Sequence, residues 1–154
     1  MKHKIRPLAL GVFTYKNQIL VHKGYDRVKK QSYYRSLGGG IEFGETGAEA
    51  LAREIQEELG QEICDIRYLG MLENIFTFED EPGHEIVLMY DATFVDPTVY
   101  QKTKLKGTEG ENISFFATWL PLKEFADGRG PLYPPGLYEL LTQKPARSIL
   151  AAFR

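Results

Sequence analysis

Residues Gly38 to Gln61 read GGGIEFGETGAEALAREIQEELGQ, and the fold is read outward from them. Thr46 followed three residues later by Glu49 is a capping box, which predicts a helix over Gly47–Leu59. Leu51, Ile55 and Leu59 recur at i, i+4 and i+8 with Ala48 and Ala52 alongside, giving the helix an apolar stripe. Gly60 suits the position just past its end. Glu54, Glu57 and Glu58 stand at i, i+3 and i+4, inside an arc of roughly 100° beside that stripe. The carboxylates are therefore expected at the rim of the core.

Three like charges on one helix face repel one another and destabilise a bare helix. A hard divalent cation would offset that cost, since Mg²⁺ takes oxygen ligands and uses carboxylates together with substrate phosphates. Arg53 adjoins the cluster and can reach back to Glu45, fixing the preceding loop on the helix. Gly38, Gly39 and Gly40 allow a backbone carbonyl or amide to approach a metal or phosphate closely. Taken alone, the three glutamates read first as an ordinary solvated acidic face, the usual fate of a glutamate-rich helix.

The wider spacing adds to this. Gly39, Glu45, Arg53-Glu54, Ile55, Glu57-Glu58 and Gly60 fall in a register that resembles the Nudix box. The chance of its seven polar and glycine positions coinciding in a chain of this length is on the order of one in a million. The one departure is Gln61, where the family prefers an aliphatic residue; Ile63 is expected to take over its packing role. The resemblance implies a Nudix-like fold, a sandwich of a mixed β-sheet between helices. It also implies hydrolysis of a nucleoside diphosphate linked to another moiety. Carried over residue by residue, it makes Glu54 and Glu58 ligands of Mg²⁺ or Mn²⁺, with Glu57 as a third ligand or base. The Gly38 carbonyl becomes a further ligand, and Arg53 and Glu45 belong to the catalytic set. Family members often draw another glutamate from a loop before a late strand. Glu109 and Glu111 lie in that region, with Glu111 preferred because it is nearer the strand.

Outside the box, Leu8–Tyr15 and Ile19–His22 read as a hairpin turning at Asn17-Gln18, Gly24–Gln31 as a loop, and Tyr33–Leu37 as a short strand. Gly38-Gly39-Gly40 is expected to break regular structure. Asp65–Phe78 and Glu85–Phe94 read as a second hairpin around Glu79–Gly83. Thr98–Glu111 reads as a loop, Ile113–Leu120 as a strand, Leu122–Phe125 as a helical turn and Leu137–Leu141 as a short helix. The order predicts a mixed α+β or α/β layered domain. Arg35 and Tyr34 are candidate substrate contacts, Arg for phosphate and Tyr for a base, along with Gly39 and Gly40. Asn74 and Phe76 share one face of their strand and are candidates for the nucleotide side of the cleft.

The chain has 154 residues, which predicts one domain over 1–154 with a core large enough to need no staple. Hydrophobic residues at 43% and charged residues at 26% exclude disorder and coiled coil as whole-chain readings. A net charge of −2 offers no electrostatic case for a nucleic-acid or membrane partner. The single cysteine, Cys64, excludes an internal disulfide and a cysteine zinc cage. The apolar run Leu8–Phe13 is too short for a signal-peptide core or a membrane span. The expectation is a soluble, cytoplasmic enzyme with a small nucleotide-type substrate, with room for a homodimer. The alternative is a non-catalytic Nudix-fold module that binds a nucleotide as a sensor or regulator. The intact Arg53, Glu54, Glu57 and Glu58 set weighs against it, because a binding module has no need of mutually repelling acids.

Overall fold

Strand β1 (Ile5–Val12) is apolar on consecutive residues because both of its faces are covered. Ala9 packs in one cluster with Leu51 and Ile55 of the predicted helix, which forms as α1 (Gly47–Leu59). Leu8, Leu10 and Val12 point the other way, into a cluster with Leu137. That residue opens the short helix α3 (Leu137–Thr142), and Phe125 of α2 (Lys123–Ala126) packs on the same side. Alternation along one strand thus places helices on opposite sides of the sheets. The computed structural model describes residues 3–143. The fold is mixed α+β, and the ends of the predicted 1–154 domain, 1–2 and 144–154, lie outside the described residues.

Two mixed sheets form rather than one. The first has the order β5 (Leu37–Gly40), β1, β7 (Glu81–Phe94), β6 (Ile63–Phe78), with β1 and β7 parallel. The second runs β10 (Leu132–Tyr133), β4 (Gln31–Arg35), β3 (Gln18–Asp26), β9 (Ile113–Pro121), β8 (Lys104–Glu109), with β2 (Thr14–Tyr15) on β3. The second predicted hairpin forms as β6–β7; of the first only Thr14-Tyr15 pairs back with β3, because Leu8–Val12 lies in β1 of the other sheet, between β5 and β7. The tight turns are Lys16-Asn17 and Glu79-Asp80, all four residues at positive φ, so the first turn sits one residue earlier than Asn17-Gln18.

Three segments differ from expectation. Gly38–Gly40 does not break regularity: it continues β5, antiparallel to β1. A side chain at Gly38 would strike the Ala9 carbonyl, and its φ of 139° excludes other residues, so glycine is what lets the strand pair here. Half of Gly24–Gln31 belongs to β3 or begins β4, leaving a tight turn at 27–30. Thr98–Glu111 holds a 3₁₀ turn (Pro97–Gln101) and all of β8. The lysines that made β8 read as loop alternate with buried Leu105 and Gly107, the period of an edge strand.

Helix α1 matches its prediction at both ends. Thr46 Oγ1 accepts from the Glu49 amide at 3.1 Å, and Glu49 Oε1 accepts from the Thr46 amide at 2.8 Å. Gly60 caps the far end with φ 65°. Ile63 is buried beside α1, so the departure at Gln61 leaves the core filled. Among the described residues no helix is long and apolar enough to cross a membrane.

Ile55 is fully buried in the α1 cluster. Ile55→Ala is expected to cost about 2–5 kcal/mol of stability. Turnover per folded molecule should change little. Urea unfolding alongside specific activity checks both.

Candidate active site

The helix carries its acids to the rim of the core, where one arginine organises them. Arg53 Nε donates to Glu45 Oε2 at 3.1 Å and Nη2 to Glu45 Oε1 at 2.6 Å, a bidentate pair. Nη2 also donates to the Gly40 carbonyl at 2.9 Å. Nη1 donates to Glu54 at 3.1 Å and to Glu57 at 3.2 Å. The guanidinium thus ties the loop, the end of β5 and the helix into one unit. Hydrogen bonds from Arg53 hold the Glu45 carboxyl below its usual range. Glu45 in turn accepts from the Glu42 amide at 2.8 Å.

Beside this unit lies an acidic cleft of about 460 Å³. Glu54, Glu57, Glu58 and the Gly38–Gly40 backbone line one side, and Thr108 and Glu109 at the end of β8 line another. A Cβ at Gly39 would sit 2.5 Å from the Glu54 carboxyl carbon, so that carboxylate occupies the space a side chain would fill. Glu58 has no arginine of its own. Burial pushes its carboxyl up from the ordinary 4.5 to about 8, and Glu54 and Glu109 push the same way.

An all-oxygen donor set around a half-buried, uncompensated carboxylate suits a hard divalent cation. Among the described residues no three acidic, histidine or cysteine side chains converge as a closed cage. The carboxylates line an open cleft and not a closed cage.

A second, aromatic cavity of about 290 Å³ adjoins the cleft. Arg6 and Arg35 line both spaces. Tyr33, Phe76, Phe78 and Tyr133 wall the cavity, and Asn74 and Glu85 lie on its β6–β7 side. Tyr33 meets Phe78 and Tyr133 edge-to-face at 5.9 and 5.6 Å. The rings of Tyr33 and Phe76 lie across Gly24 and Gly83 on the neighbouring strands, where a side chain would collide with them. The outer wall is clasped between the sheets. Buried Asp26 accepts from the amides of Val28, Lys29 and Glu79, Arg27 pairs with Glu79 at 2.9 Å, and Lys29 donates to the Thr77 carbonyl at 2.6 Å.

Most residues singled out from the sequence gather in these two spaces: Glu54, Glu57, Glu58, Gly38, Gly39 and Gly40 in the cleft, Asn74 and Phe76 in the cavity, and Arg35 at the junction. Arg53 and Glu45 stand just behind. Two do not. Tyr34 is buried against Phe125 and Leu132, because neighbours on a strand face opposite ways and Arg35 takes the cleft side. Tyr33, in phase with Arg35, lines the cavity instead. Glu111 stands exposed in the turn after β8 and does not line the cleft, while Glu109 does. Proximity to β9 misdirected that preference, since β8 itself delivers the acid. Strand parity could have found Tyr33, but no local signal marks Arg6, which reaches the junction only through the pairing of β1 with β7.

The NUDIX domain family model matches residues 5–141. The chain belongs to the Nudix family. It is thereby a hydrolase acting on pyrophosphate-type bonds. The fold is shared with the solution structure of the E. coli ORF135 protein, at 20% identity and TM-score 0.62, covering 99% of this chain and 94% of that one. A NUDIX hydrolase from Nitrosomonas europaea matches at 17% identity and TM-score 0.60, covering 98% and 92%. A MutT NUDIX hydrolase from Burkholderia pseudomallei matches at 18% identity and TM-score 0.57, covering 79% and 86%.

Glu58 makes the stability of this Nudix domain depend on pH. Its folded carboxyl titrates near 8 and its unfolded one near 4.5, so between those values the folded state binds more protons. The stability associated with this group is full below pH 4.5 and falls as pH rises towards 8. In metal-free protein, the melting temperature of wild type relative to Glu58→Gln should fall across that window. A difference that stays constant with pH would contradict the assignment.

Proposed function

We propose that this Nudix domain hydrolyses the diphosphate bond of a nucleoside diphosphate linked to another moiety, using Mg²⁺ or Mn²⁺. The observation that carries the reading is the shared pair Arg6 and Arg35. They line both the acidic cleft and the aromatic cavity, so a phosphate held at the junction joins a cation site to a base-sized apolar space.

In this reading Glu54 and Glu58, with Glu57 and the Gly38 carbonyl, would hold the cation. When bound, the cation supplies charge neutralisation on the diphosphate and a lowered pKa for the attacking water. Arg35 and Arg6 bind phosphate oxygens by charge-assisted hydrogen bonds and fix the diphosphate between the two spaces. The Gly39 and Gly40 backbone gives the diphosphate a wall without side chains. Glu57 and Glu109 are the carboxylates in the cleft proposed to take the proton of the attacking water. Arg53 and Glu45 keep the loop and the helix in register, and so set the spacing of the acids. The aromatic cavity receives the nucleoside, its rings offering stacking faces and edges.

A non-catalytic binding module is disfavoured by the acidic cluster. Glu54, Glu57 and Glu58 line the same cleft, and keeping three carboxylates together there carries a mutual repulsion that a bound cation offsets.

Glu58→Gln keeps the side chain's shape and removes its charge. The melting temperature of the metal-free protein should hold or rise, while Mg²⁺-dependent turnover of a nucleoside diphosphate panel should fall by about a hundredfold or more, because metal-assisted charge stabilisation supplies several kcal/mol. Near-normal turnover in Glu58→Gln, or full wild-type turnover in excess EDTA, would overturn the cation assignment.

A further inference from the structure

Asn74 is 6% exposed on β6, on the face that turns towards the aromatic cavity. Its Nδ2 donates to Glu85 Oε1 at 3.2 Å across the β6–β7 pair. The other oxygen of Glu85 faces Arg6 Nη1 at 3.5 Å, so the carboxylate is held from both sides and is 14% exposed. This fixes the orientation of the amide. Turned over, Asn74 would set its carbonyl oxygen against a carboxylate that can only accept. In the orientation that forms, Oδ1 is buried and has no hydrogen-bond partner. A buried acceptor left alone costs free energy, and such a group within a binding cavity calls for a donor from outside the chain.

We propose that Asn74, oriented by Glu85, selects the group seated in the aromatic cavity, and that this group is a nucleobase carrying an exocyclic amine. The inference rests on the reading of that cavity as the nucleoside seat. A free asparagine side chain offers two N–H donors and a carbonyl acceptor, and by turning over it accommodates an amine or a carbonyl alike. Here Glu85 engages one N–H and fixes the orientation, and the carbonyl oxygen is the atom left without a partner. An N–H of an adenine-, cytosine- or guanine-type amine completes the Asn74 hydrogen bond. An oxo group at the same position brings two oxygens together, and a hydrogen leaves Oδ1 unpaired. Tyr33, Phe76 and Phe78 contact the flat ring without regard to its edge, so discrimination falls to Asn74. Glu85 acts through Asn74 and is a positioning residue.

The probes are the non-hydrolysable α,β-methylene diphosphates of adenosine, inosine, cytidine, uridine and guanosine, titrated by calorimetry, so the readout does not depend on turnover. The amine-bearing member should bind about fivefold or more tighter in at least one of the pairs adenosine/inosine, cytidine/uridine and guanosine/inosine, the scale of one net hydrogen bond. Asn74→Leu should bring that ratio to about 1 by removing the acceptor. Glu85→Gln, which can either donate to or accept from Asn74, should shrink the ratio by freeing the amide, whatever it does to both affinities through Arg6. Melting curves confirm that each variant is folded. A wild-type ratio below about fivefold in every pair overturns the proposal, as does a ratio that survives in Asn74→Leu. Turnover of the corresponding natural diphosphates, measured separately, distinguishes the two readings. Discrimination in binding without any hydrolysis would sink the hydrolytic function and leave this inference standing. Hydrolysis without discrimination would do the opposite. Failure of every probe to bind overturns the nucleoside seat and this inference together.

Discussion

The guanidinium of Arg53 holds together parts of the chain that would otherwise repel or drift. It meets the Glu45 carboxylate face to face, reaches the Gly40 carbonyl at the end of β5, and contacts Glu54 and Glu57 on its own helix. A lysine could not reproduce this, because only a planar fork presents donors in several fixed directions at once. The consequence is geometric. The loop between β5 and α1 is pinned to the helix surface, and the glycine backbone is fixed beside the carboxylates. Arg53 also neutralises part of the acidic cluster while leaving Glu58 outside its reach. Burial holds the Glu58 carboxyl, which Arg53 does not reach, above the ordinary carboxylate range.

That distribution of charge organises the surrounding space. On one side of Arg6 and Arg35 the lining is acidic and glycine-rich, and on the other it is aromatic. The two arginines come from different sheets, Arg6 from β1 and Arg35 from β4. The junction therefore exists only when both sheets are in place. The hairpin tips are held to one another by Asp26, Arg27 and Lys29 of the β3–β4 turn and by Thr77 and Glu79 at the end of β6. Backbone amides from both tips converge on the Asp26 carboxylate and keep it below its usual range. Within the cavity this clasp closes, bulky rings lie flat because the cross-strand partners of Tyr33 and Phe76 are glycines.

The core follows from the same economy of alternation. β1 supplies both clusters, Ala9 towards α1 and Leu8, Leu10 and Val12 towards α3. A single-residue slip would exchange the two sets and bring leucines against the tightly packed face under α1. Gly11 already lies within 3.1 Å of Leu51 at its would-be Cβ, so that face has no room for a larger residue. The register of β1 in turn fixes Arg6 opposite Glu85 and Leu8 opposite Gly40. Packing on the apolar residues thereby sets the position of the polar ones.

Local signals were sufficient for some of this. The capping box, the apolar stripe and the closing glycine determine α1 from Gly47 to Leu59, since each acts within a turn or two of helix and needs no distant partner. The same periodicity places Glu54, Glu57 and Glu58 on one face, and residue spacing places Arg53 within reach of Glu45. The two hairpin turns were legible for a similar reason: a tight turn between β-rich runs is a short-range event. Tertiary structure decided the rest. Gly38–Gly40 reads as a breaker until β1 lies beside it, and Lys104–Glu109 reads as loop until β9 does, because strand pairing draws on residues far away in sequence. Whether Tyr33 or Tyr34 faces the cavity, and whether Glu109 or Glu111 faces the cleft, depends on which side of each strand the core occupies. Arg6 lies 29 residues before Arg35, and only the packing of the two sheets brings them to the same junction. The helix and its acids are written in local spacing, while the cavity beside them depends on long-range register, which no short stretch of sequence contains.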